Sequence, residues 1–428
     1  MRHGGTLKFN SYSIARLSAL FRVLTKQFYS NLRIVKSPFL IQPLKCATQG
    51  TIIKELQPGS KKCLQKIVLT CSFKRNTTLI KTCYMRRVVF IFLIAAAACN
   101  QPQQPANNTI TLQDYFAPKD SGVQTGGVKM VAIKTPVGNF NVWTKAIGNN
   151  PRIKVLLLHG GPAFTHEYME CFESFFPQQG FEMIEYDQLG SYYSDQPKDS
   201  SLWTTERFVE EVEQVRIALG LNKDNFYLLG NSWGGLLAME YALKYQQNLK
   251  GLIICNMVAS IPAYEKYNAV LRSQMRKSLV DSLQNYEAKG MFKDPTYQAL
   301  VYSEYYTQHL CRLPEWPEPL LRTLKHVNEE IYVMMQGPSE FKTGGRLLTW
   351  DRSKDLPKIT VPTLTVGAHF DTMDPEYMKW MSTQVQQGNY LYCPNGSHLA
   401  MWDDQQHFYP GIIKFIKAVD EGTFKGEK

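Results

Sequence analysis

The sequence lacks a long apolar run, an internal repeat and paired cysteines. No stretch reaches the roughly 18 apolar residues that a membrane-spanning helix needs. None of the 9 cysteines forms a CxxC pair, so the pattern predicts no zinc site, and a chain of 428 residues can build a core without disulfides. The composition, 44% hydrophobic and 20% charged, is that of a globular protein and excludes a mostly disordered chain.

Acidic residues are almost missing from the first 84 residues, which contain 15 Lys and Arg and a single acid, Glu55. This segment carries a formal charge of +14, whereas residues 85–428 carry −3, and the two together give the total of +11. Because the basic excess belongs to one segment, it does not indicate a basic surface on the rest of the chain. The sequence therefore predicts no nucleic-acid partner.

A sequence pattern that is typical of the N-terminus of a protein begins at Met85. It is followed by two arginines, a short apolar run, alanines and Cys99, the pattern of a secretory signal peptide; a cysteine after alanines resembles a bacterial lipoprotein signal. This predicts a signal peptide over 85–99, a flexible tether over 100–120, and an exported periplasmic or cell-surface protein attached to a membrane by lipid on Cys99. Residues 1–84 are interpreted as upstream sequence from a mis-assigned start, the alternative being a genuine basic leader such as a transit peptide.

The rest of the chain alternates strand and helix patterns. A β-hairpin is predicted over 128–145, and then buried strands alternate with helices, which indicates a mostly parallel sheet covered by helices on both faces. The predicted strands are 155–158, 181–186, 226–229, 249–255, 361–366 and 390–392, and the predicted helices are 203–219, 236–245, 375–386 and 409–419. Helical patterns and aromatics dominate residues 260–345. We therefore predict an α/β core in two parts, 121–259 and 346–428, with a helical cap between them.

The strongest chemical signal is the sequence GNSWGG at residues 230–235. It lies between a predicted strand and a predicted helix, which is the context that a G-x-S-x-G nucleophile elbow requires. The glycines permit a tight turn that presents Ser232 at the carboxyl edge of the sheet. A serine nucleophile needs a base and an orienting acid, and in this kind of fold the chain order is serine, acid, histidine.

The candidate base and acid both follow predicted strands. His398 comes just after the last strand, and we predict that it is the base, because strand-end loops of parallel sheets carry the chemistry. The remaining histidines after the serine lie in the cap, before the candidate acid or near the last helix: His309, His326, His369 and His407. Asp371 is the predicted acid, with Asp374 as the close alternative. Two acids that precede the strand fit less well: Asp351 and Asp355.

The sequence HGGP at residues 159–162 follows the first predicted parallel strand. In α/β sheets with a nucleophile elbow, a backbone N–H of this loop and the N–H of the residue after the nucleophile form the oxyanion hole. We predict that the amides of Gly161 and Trp233 play this part.

Together these motifs resemble the proline iminopeptidase family, α/β-hydrolases that remove an N-terminal residue, often proline, from peptides. The resemblance covers about residues 120–420 in four ordered segments: HGGPAFTHEY at 159–168, DQLGSYYS at 187–194, GNSWGG at 230–235 and GSHLAMWD at 396–403. It implies the α/β-hydrolase fold with a helical cap. It also implies a serine aminopeptidase that acts through an acyl-enzyme on small peptides with a free N-terminus, and that needs no cofactor and no metal.

The resemblance also implies a site for the substrate's α-ammonium. In relatives a glutamate of a GPxEF segment binds it, and here GPSEF places Glu340 at that position. Some relatives have a second glutamate after the triad aspartate, where this chain has Thr372; Glu167 and Asp374 are the candidates to replace it. Gly160 is expected beside the substrate. Cap aromatics that could line a proline-sized pocket are Tyr302, Tyr305, Tyr306, Trp316 and Tyr332.

Two departures from the family pattern narrow the space near the oxyanion loop. Ala163 stands where the family has glycine, and Ser-Tyr-Tyr at 191–193 replaces a small GxG stretch. An esterase or amidase acting on substrates without a free N-terminus is the alternative within the fold. The alternative function without catalysis is that of a lipoprotein that uses the fold only for binding. The sequence predicts no particular oligomeric state.

Overall fold

The structure is a computed structural model that describes residues 125–427 apart from residue 341. The predicted basic leader, signal peptide and tether, with Cys99, lie outside the described residues. Within the described part of the chain, no helix combines the length and the apolar character needed to cross a membrane.

The described strands form one sheet of eight. In chain order they are β1 (Val128–Thr135), β2 (Gly138–Ile147), β3 (Lys154–Leu158), β4 (Glu182–Asp187), β5 (Phe226–Asn231), β6 (Gly251–Cys255), β7 (Thr363–Ala368) and β8 (Gly388–Cys393). Their order across the sheet is β1-β2-β4-β3-β5-β6-β7-β8. The β1–β2 and β2–β4 pairs are antiparallel and the others are parallel, which confirms the predicted hairpin and mostly parallel sheet. Strands β3 to β7 are almost wholly buried, as expected for strands covered on both faces.

Helices lie on both faces of the sheet and form the cap. They are α1 (Thr205–Ala218), α2 (Trp233–Tyr245), α3 (Ile261–Gln274), α4 (Lys277–Ala288), α5 (Pro295–Val301), α6 (Thr307–His309), α7 (Glu318–His326), α8 (Glu329–Met335), α9 (Pro375–Gln384), α10 (Ala400–Asp403) and α11 (Gln405–Asp420). Helix α1 begins two residues after its predicted start at 203, because the Thr204 side chain caps it by accepting from the Arg207 N–H. The predicted start of α11 near residue 409 was too late, because the polar residues before Pro410 form its first turn; His407 therefore lies inside this helix.

The cap is the segment between β6 and β7 that contains α3 to α8. Its own apolar cluster consists of Leu271, Leu279, Leu283, Tyr297, Val301 and Tyr305. A π-helical turn, Tyr302–Tyr306, interrupts the helix pattern between α5 and α6. Several contacts join the cap to the core. Among them, α7 packs on the 3₁₀ segment His166–Ser174, the end of α6 contacts the loop after β8, and the Asn328 N–H donates to the Ala163 carbonyl. These contacts place the cap over the carboxyl ends of the parallel strands.

Candidate active site

A tight backbone turn at the site joins β5 to α2. Ser232 has φ 56° and ψ −126°, a conformation that costs free energy for any residue with a Cβ. A Cβ on Gly230 would lie 2.0 Å from the Gly234 carbonyl oxygen, and one on Gly234 would lie 2.0 Å from the Leu158 carbonyl oxygen. Only glycine fits at these two positions. The turn carries Ser232 into the lining of a cavity between the core and the cap.

The loops after β7 and β8 bring the predicted acid and base together. His398 Nδ1 lies 2.8 Å from Asp371 Oδ1, and both side chains are buried. Asp371 also accepts from the Asn256 side-chain amide at 2.7 Å and from the Met373 backbone N–H at 3.0 Å, which fix its orientation. Because His398 lines the same cavity as Ser232, the structure gathers all three predicted residues at one site.

The charge state of His398 depends on its neighbours. Burial by itself lowers the pKa of His398. The Asp371 carboxylate, with smaller contributions from Glu340 and Asp403, raises this pKa by more than burial lowers it, so the pKa lies above the ordinary value of histidine. With Nδ1–H donating to Asp371, Nε2 is the nitrogen that can take a proton from a serine hydroxyl.

The competing acids have other partners. Asp374 caps α9, where its side chain accepts from the Glu376 N–H at 3.0 Å, and it is not among the residues that line the cavity. Asp351 accepts from the Ser260 hydroxyl, and Asp355 pairs with Lys358. The structure therefore brings Asp371, and not these acids, to the histidine.

The loop after β3 packs directly on the serine turn. The Gly160 N–H donates to the Tyr168 hydroxyl at 2.8 Å, and this hydroxyl donates to Asn231 Oδ1 at 2.9 Å. A Cβ on Gly160 would lie 3.1 Å from the Ser232 Cβ, so a larger residue would crowd the serine. Gly161, which also lines the cavity, has φ 111°, a backbone conformation that favours glycine.

Side chains that sequence reasoning missed join this loop to the serine turn. Burial lowers the pKa of His159 to about 4, so the ring is neutral: Nδ1 donates to the Gly160 carbonyl at 2.9 Å and Nε2 accepts from the Gln188 N–H at 3.1 Å. The Gln188 side chain accepts from the Trp233 indole at 2.8 Å. This network joins the loop that contains the predicted oxyanion donor Gly161 to the side chain of the other, Trp233. Trp233 is the first residue of α2, where an N–H has no acceptor within its helix.

Glu340 lines the cavity from the cap side. Glu340 is buried, and its carboxyl accepts from the Tyr332 hydroxyl at 2.6 Å. The Tyr264 hydroxyl lies 3.5 Å from Glu340 Oε2 and 2.6 Å from the Glu340 carbonyl oxygen. Burial raises the pKa of Glu340 more than the charge of His398 and the tyrosine hydroxyls lower it. A carboxyl in this setting is suited to a cation that enters the cavity, because the low dielectric strengthens the pairing.

Glu167 has a different place from the one that the sequence suggested. Its buried carboxylate accepts from Arg322 at 2.8 Å, lies 2.8 Å from His326 Nδ1 and accepts from the Thr165 hydroxyl at 2.9 Å. Arg322 and His326 belong to α7, so this ion pair attaches the cap to the core. Glu167 is not in the lining of the cavity, and the structure does not bring it to Glu340.

The cavity is small and mostly apolar. The enclosed space is about 10 Å³, which is room for about one water molecule. Its aromatic walls are core residues, Phe164 and Tyr168, and its aliphatic walls are Leu310, Leu320 and Leu399. The cap aromatics expected to line it do not do so. Tyr332 lies behind the cavity wall, where it stacks on Phe164 with ring centroids 5.7 Å apart. Tyr305 is buried in the apolar cluster of the cap.

Comparisons with known proteins identify the family and the fold of the chain. Residues 154–405 match the family described as alpha/beta hydrolase fold. A protein of Flavobacterium johnsoniae named proline iminopeptidase is 63% identical over 293 residues, which cover 68% of this chain and 99% of that protein. One of the same name from Elizabethkingia meningoseptica is 62% identical over 297 residues, covering 69% of this chain and 100% of that protein. The crystal structure of proline iminopeptidase from Mycobacterium smegmatis superposes with a TM-score of 0.63 at 27% identity, covering 69% of this chain and 99% of that one.

Proposed function

The chain belongs to the proline iminopeptidase family of the alpha/beta hydrolase fold, and we propose that it releases an N-terminal residue, preferentially proline, from small peptides. It is a serine hydrolase, as the family is. The observation that carries the proposal is the cavity itself, because the candidate nucleophile Ser232 and the buried carboxyl of Glu340 both line it. A peptide whose α-ammonium pairs with Glu340 would present its first carbonyl to the serine.

The proposed chemistry follows from these contacts. His398, oriented by Asp371, removes the proton of the Ser232 hydroxyl as the serine attacks the first peptide carbonyl. The backbone amides of Gly161 and Trp233 stabilise the negative charge that develops on the carbonyl oxygen. The imidazole then gives its proton to the leaving amine, and a water that it activates releases the acyl group from the serine.

The position of Glu340 supports an exopeptidase. Its buried carboxyl forms the wall of the cavity on the cap side, where a chain that continued beyond the N-terminus of the substrate would have to pass. An esterase or amidase acting on blocked substrates has no use for a buried carboxyl at this place.

The test is to compare hydrolysis of prolyl-, alanyl- and leucyl-arylamides with that of their N-acetylated forms. We expect rapid cleavage of the free prolyl substrate and little cleavage of any acetylated one. Covalent labelling by a fluorophosphonate, with Ser232→Ala as the control, reports the nucleophile independently. Equal or better cleavage of the acetylated substrates would overturn the aminopeptidase proposal and leave a serine hydrolase with another substrate.

We further propose that the protein is exported and anchored to a membrane by lipid on Cys99. The support is the sequence pattern of residues 85–99 alone. Growth of expressing cells with a labelled fatty acid should give a labelled protein, and Cys99→Ala should abolish the label. A native peptide from before Met85, detected by mass spectrometry, would contradict the mis-assigned start.

A further inference from the structure

The end of α6 lies against the two loops that contain the predicted acid and base. The Nδ1 atom of His309 lies 2.8 Å from the carbonyl oxygen of Phe370, the residue directly before Asp371. The His309 carbonyl accepts from the backbone N–H of His398 at 2.9 Å. A single residue of the cap therefore bonds both to the peptide group that leads into the acid and to the backbone of the base.

The direction of the side-chain bond follows from its acceptor. A carbonyl oxygen only accepts, so Nδ1 of His309 carries the proton and donates to Phe370. Burial lowers the pKa of His309 by more than the Phe370 carbonyl and the Asp371 charge raise it, and the charge of Arg312 lowers it too, so the ring is neutral near pH 7. A neutral side chain can therefore replace His309 without removing a charge from the site.

The backbone bonds of this segment join the ends of two helices. Helix α6 ends at His309, and the last carbonyls of a helix have no donor within it; Leu399 directly precedes α10, whose first N–H groups have no acceptor within it. The His309 and Leu310 carbonyls accept from the N–H groups of His398 and Leu399. The Ser397 hydroxyl also donates to the Leu310 carbonyl, at 2.9 Å. The end of α6 therefore satisfies the backbone groups around the base.

The loop of the acid is also bonded to the loop of the base. The Phe370 N–H donates to the Gly396 carbonyl at 2.9 Å. The peptide group between Phe370 and Asp371 has two hydrogen bonds of its own. Its N–H lies 3.3 Å from the Ala368 carbonyl, whereas its oxygen accepts from His309 at 2.8 Å. Of these two bonds, the one to His309 is the shorter, and it is the one that comes from the cap.

We infer that His309 is a positioning residue for the Asp371–His398 pair, because it fixes the peptide before the acid and the backbone of the base at the same time. The bond of 2.8 Å between the two side chains requires both loops to be in place, since a charge-assisted hydrogen bond weakens as its length and angle change. His309 is not in the lining of the cavity. The inference rests on the proposed function, because it takes Asp371 and His398 as acid and base.

The experiment uses two replacements of the same branched shape, His309→Leu and His309→Asn. Only asparagine has an N–H on the atom bonded to Cγ, where histidine has Nδ1. The substrates are a prolyl arylamide and the 4-nitrophenyl ester of cyclopentanecarboxylic acid, which has no amine. In His309→Leu we expect kcat for both to fall about tenfold, the effect of one net hydrogen bond, with KM changed by less than about twofold. His309→Asn should restore kcat to within about threefold.

The pH profile of kcat reports the pair itself. The Asp371 carboxylate raises the pKa of His398, so a weaker bond between them lets this pKa fall. The acid limb of kcat should therefore lie about 0.5 pH unit lower in His309→Leu and return in His309→Asn. Glu340 and Asp403, whose charges also act on His398, are unchanged in both variants. A contact that only stabilised the cap would lower the temperature of thermal unfolding and leave this limb where it is.

A matched control is available at another contact of the cap. The Asn328 side-chain amide donates to the Gly190 carbonyl at 3.1 Å, so it also joins a cap side chain to a core carbonyl, and neither residue lines the cavity. Asn328→Ser loses this bond and keeps a side chain suited to capping α8. We expect kcat within about twofold of the unmodified protein and an unmoved acid limb. Thermal unfolding shows that each variant is folded; His309→Ala, with the same expectation, replaces His309→Leu if that variant does not fold.

The outcomes separate this inference from the proposed function. An unchanged kcat and acid limb in His309→Leu would make the contact purely structural, and a loss that His309→Asn does not recover would show that the donor is not its cause; either result overturns the inference. So would an equal loss of kcat in Asn328→Ser. Failure of the unmodified protein to cleave the prolyl arylamide, with ester hydrolysis intact, would overturn the proposed function, while the loss and recovery of kcat on the ester would still support the role of His309.

Discussion

The core and the cap contribute to the cavity in different ways. The core supplies Ser232, Asp371 and His398 from loops that follow strands directly, and the sheet fixes where those loops begin. The cap supplies Glu340, which is held by tyrosine hydroxyls from two separate helices, α3 and α8. The difference agrees with the proposed roles, in which the core breaks the peptide bond and the cap binds the N-terminus of the peptide. Changes in one region should therefore separate these two properties.

The largest expected effect comes from Glu340→Gln, which removes the charge and keeps the shape. We expect kcat/KM for a prolyl arylamide to fall by about 100-fold, because a buried ion pair with the substrate is lost. Hydrolysis of an ester without an amine should change by less than about threefold, since the core is untouched. Stability should not fall, because burial already disfavours the charged form of Glu340. Equal losses on both substrates would contradict the division between core and cap.

The pH dependence should distinguish the same two regions. The raised pKa of His398 means that the base becomes protonated, and both substrates lose activity, as the pH falls through a midpoint above the ordinary histidine value of about 6.5. The pKa of Glu340 is also raised, so the ionised carboxyl is lost as the pH falls, and this loss affects only the substrate with an amine. Plots of log kcat/KM against pH should therefore fall more steeply on the acid side for the prolyl substrate. Parallel acid limbs would mean that Glu340 is not needed in ionised form.

The core residues of the site could be predicted from sequence because each belongs to a local pattern. Ser232 lies in a strand–turn–helix segment, and Asp371 and His398 follow strands, so their order along the chain already places them at one edge of the sheet. Asn256, which bonds to Asp371, also follows a strand but belongs to no such motif. Its position depends on the packing of β6 beside β7, which no short pattern records.

The contacts of the cap were harder to predict because they join residues far apart in the chain. The backbone carbonyls of His309 and Leu310 accept from the N–H groups of His398 and Leu399, both at 2.9 Å, so the cap holds the loop that contains His398. Glu167 follows the HGGP loop, so the sequence suggested that it contacts the substrate. In the structure it pairs instead with Arg322 of α7. A backbone bond or an ion pair of this kind requires the cap to be folded on the core, so periodicity and local motifs cannot reveal it.

A change that weakens the attachment of the cap should lower the free energy of unfolding and leave kcat almost unchanged. Arg322→Met leaves the buried Glu167 carboxylate without one of its donors and also removes the ion pairs of Arg322 with Glu170 and Glu318, so we expect a loss of about 2 kcal/mol in the free energy of unfolding. The KM for a prolyl arylamide should rise by a few-fold with kcat little changed, because α7 attaches the cap to the core and contains Leu320, which lines the cavity. Lys277→Met, which breaks an exposed cap ion pair with Asp281, is the control and should cost less than about 0.5 kcal/mol. Similar losses in the two variants would mean that the Glu167 pair does not anchor the cap.

The smallest expected effect tests the core at Ala163, the position where the family has glycine. Ala163 has φ 62°, and a Cβ in this left-handed region costs about 1 kcal/mol. Glycine removes that cost but gives the unfolded chain more freedom, so Ala163→Gly should change the free energy of unfolding by less than about 0.5 kcal/mol, as measured by urea denaturation. The control Ala269→Gly, at an exposed site inside helix α3, relieves nothing and should destabilise by about 1 kcal/mol. The Ala163 carbonyl accepts from the Asn328 N–H of the cap. If Ala163→Gly and Ala269→Gly lose equal amounts of stability, the backbone at Ala163 is not strained in the folded protein, and this contact with the cap is the reason.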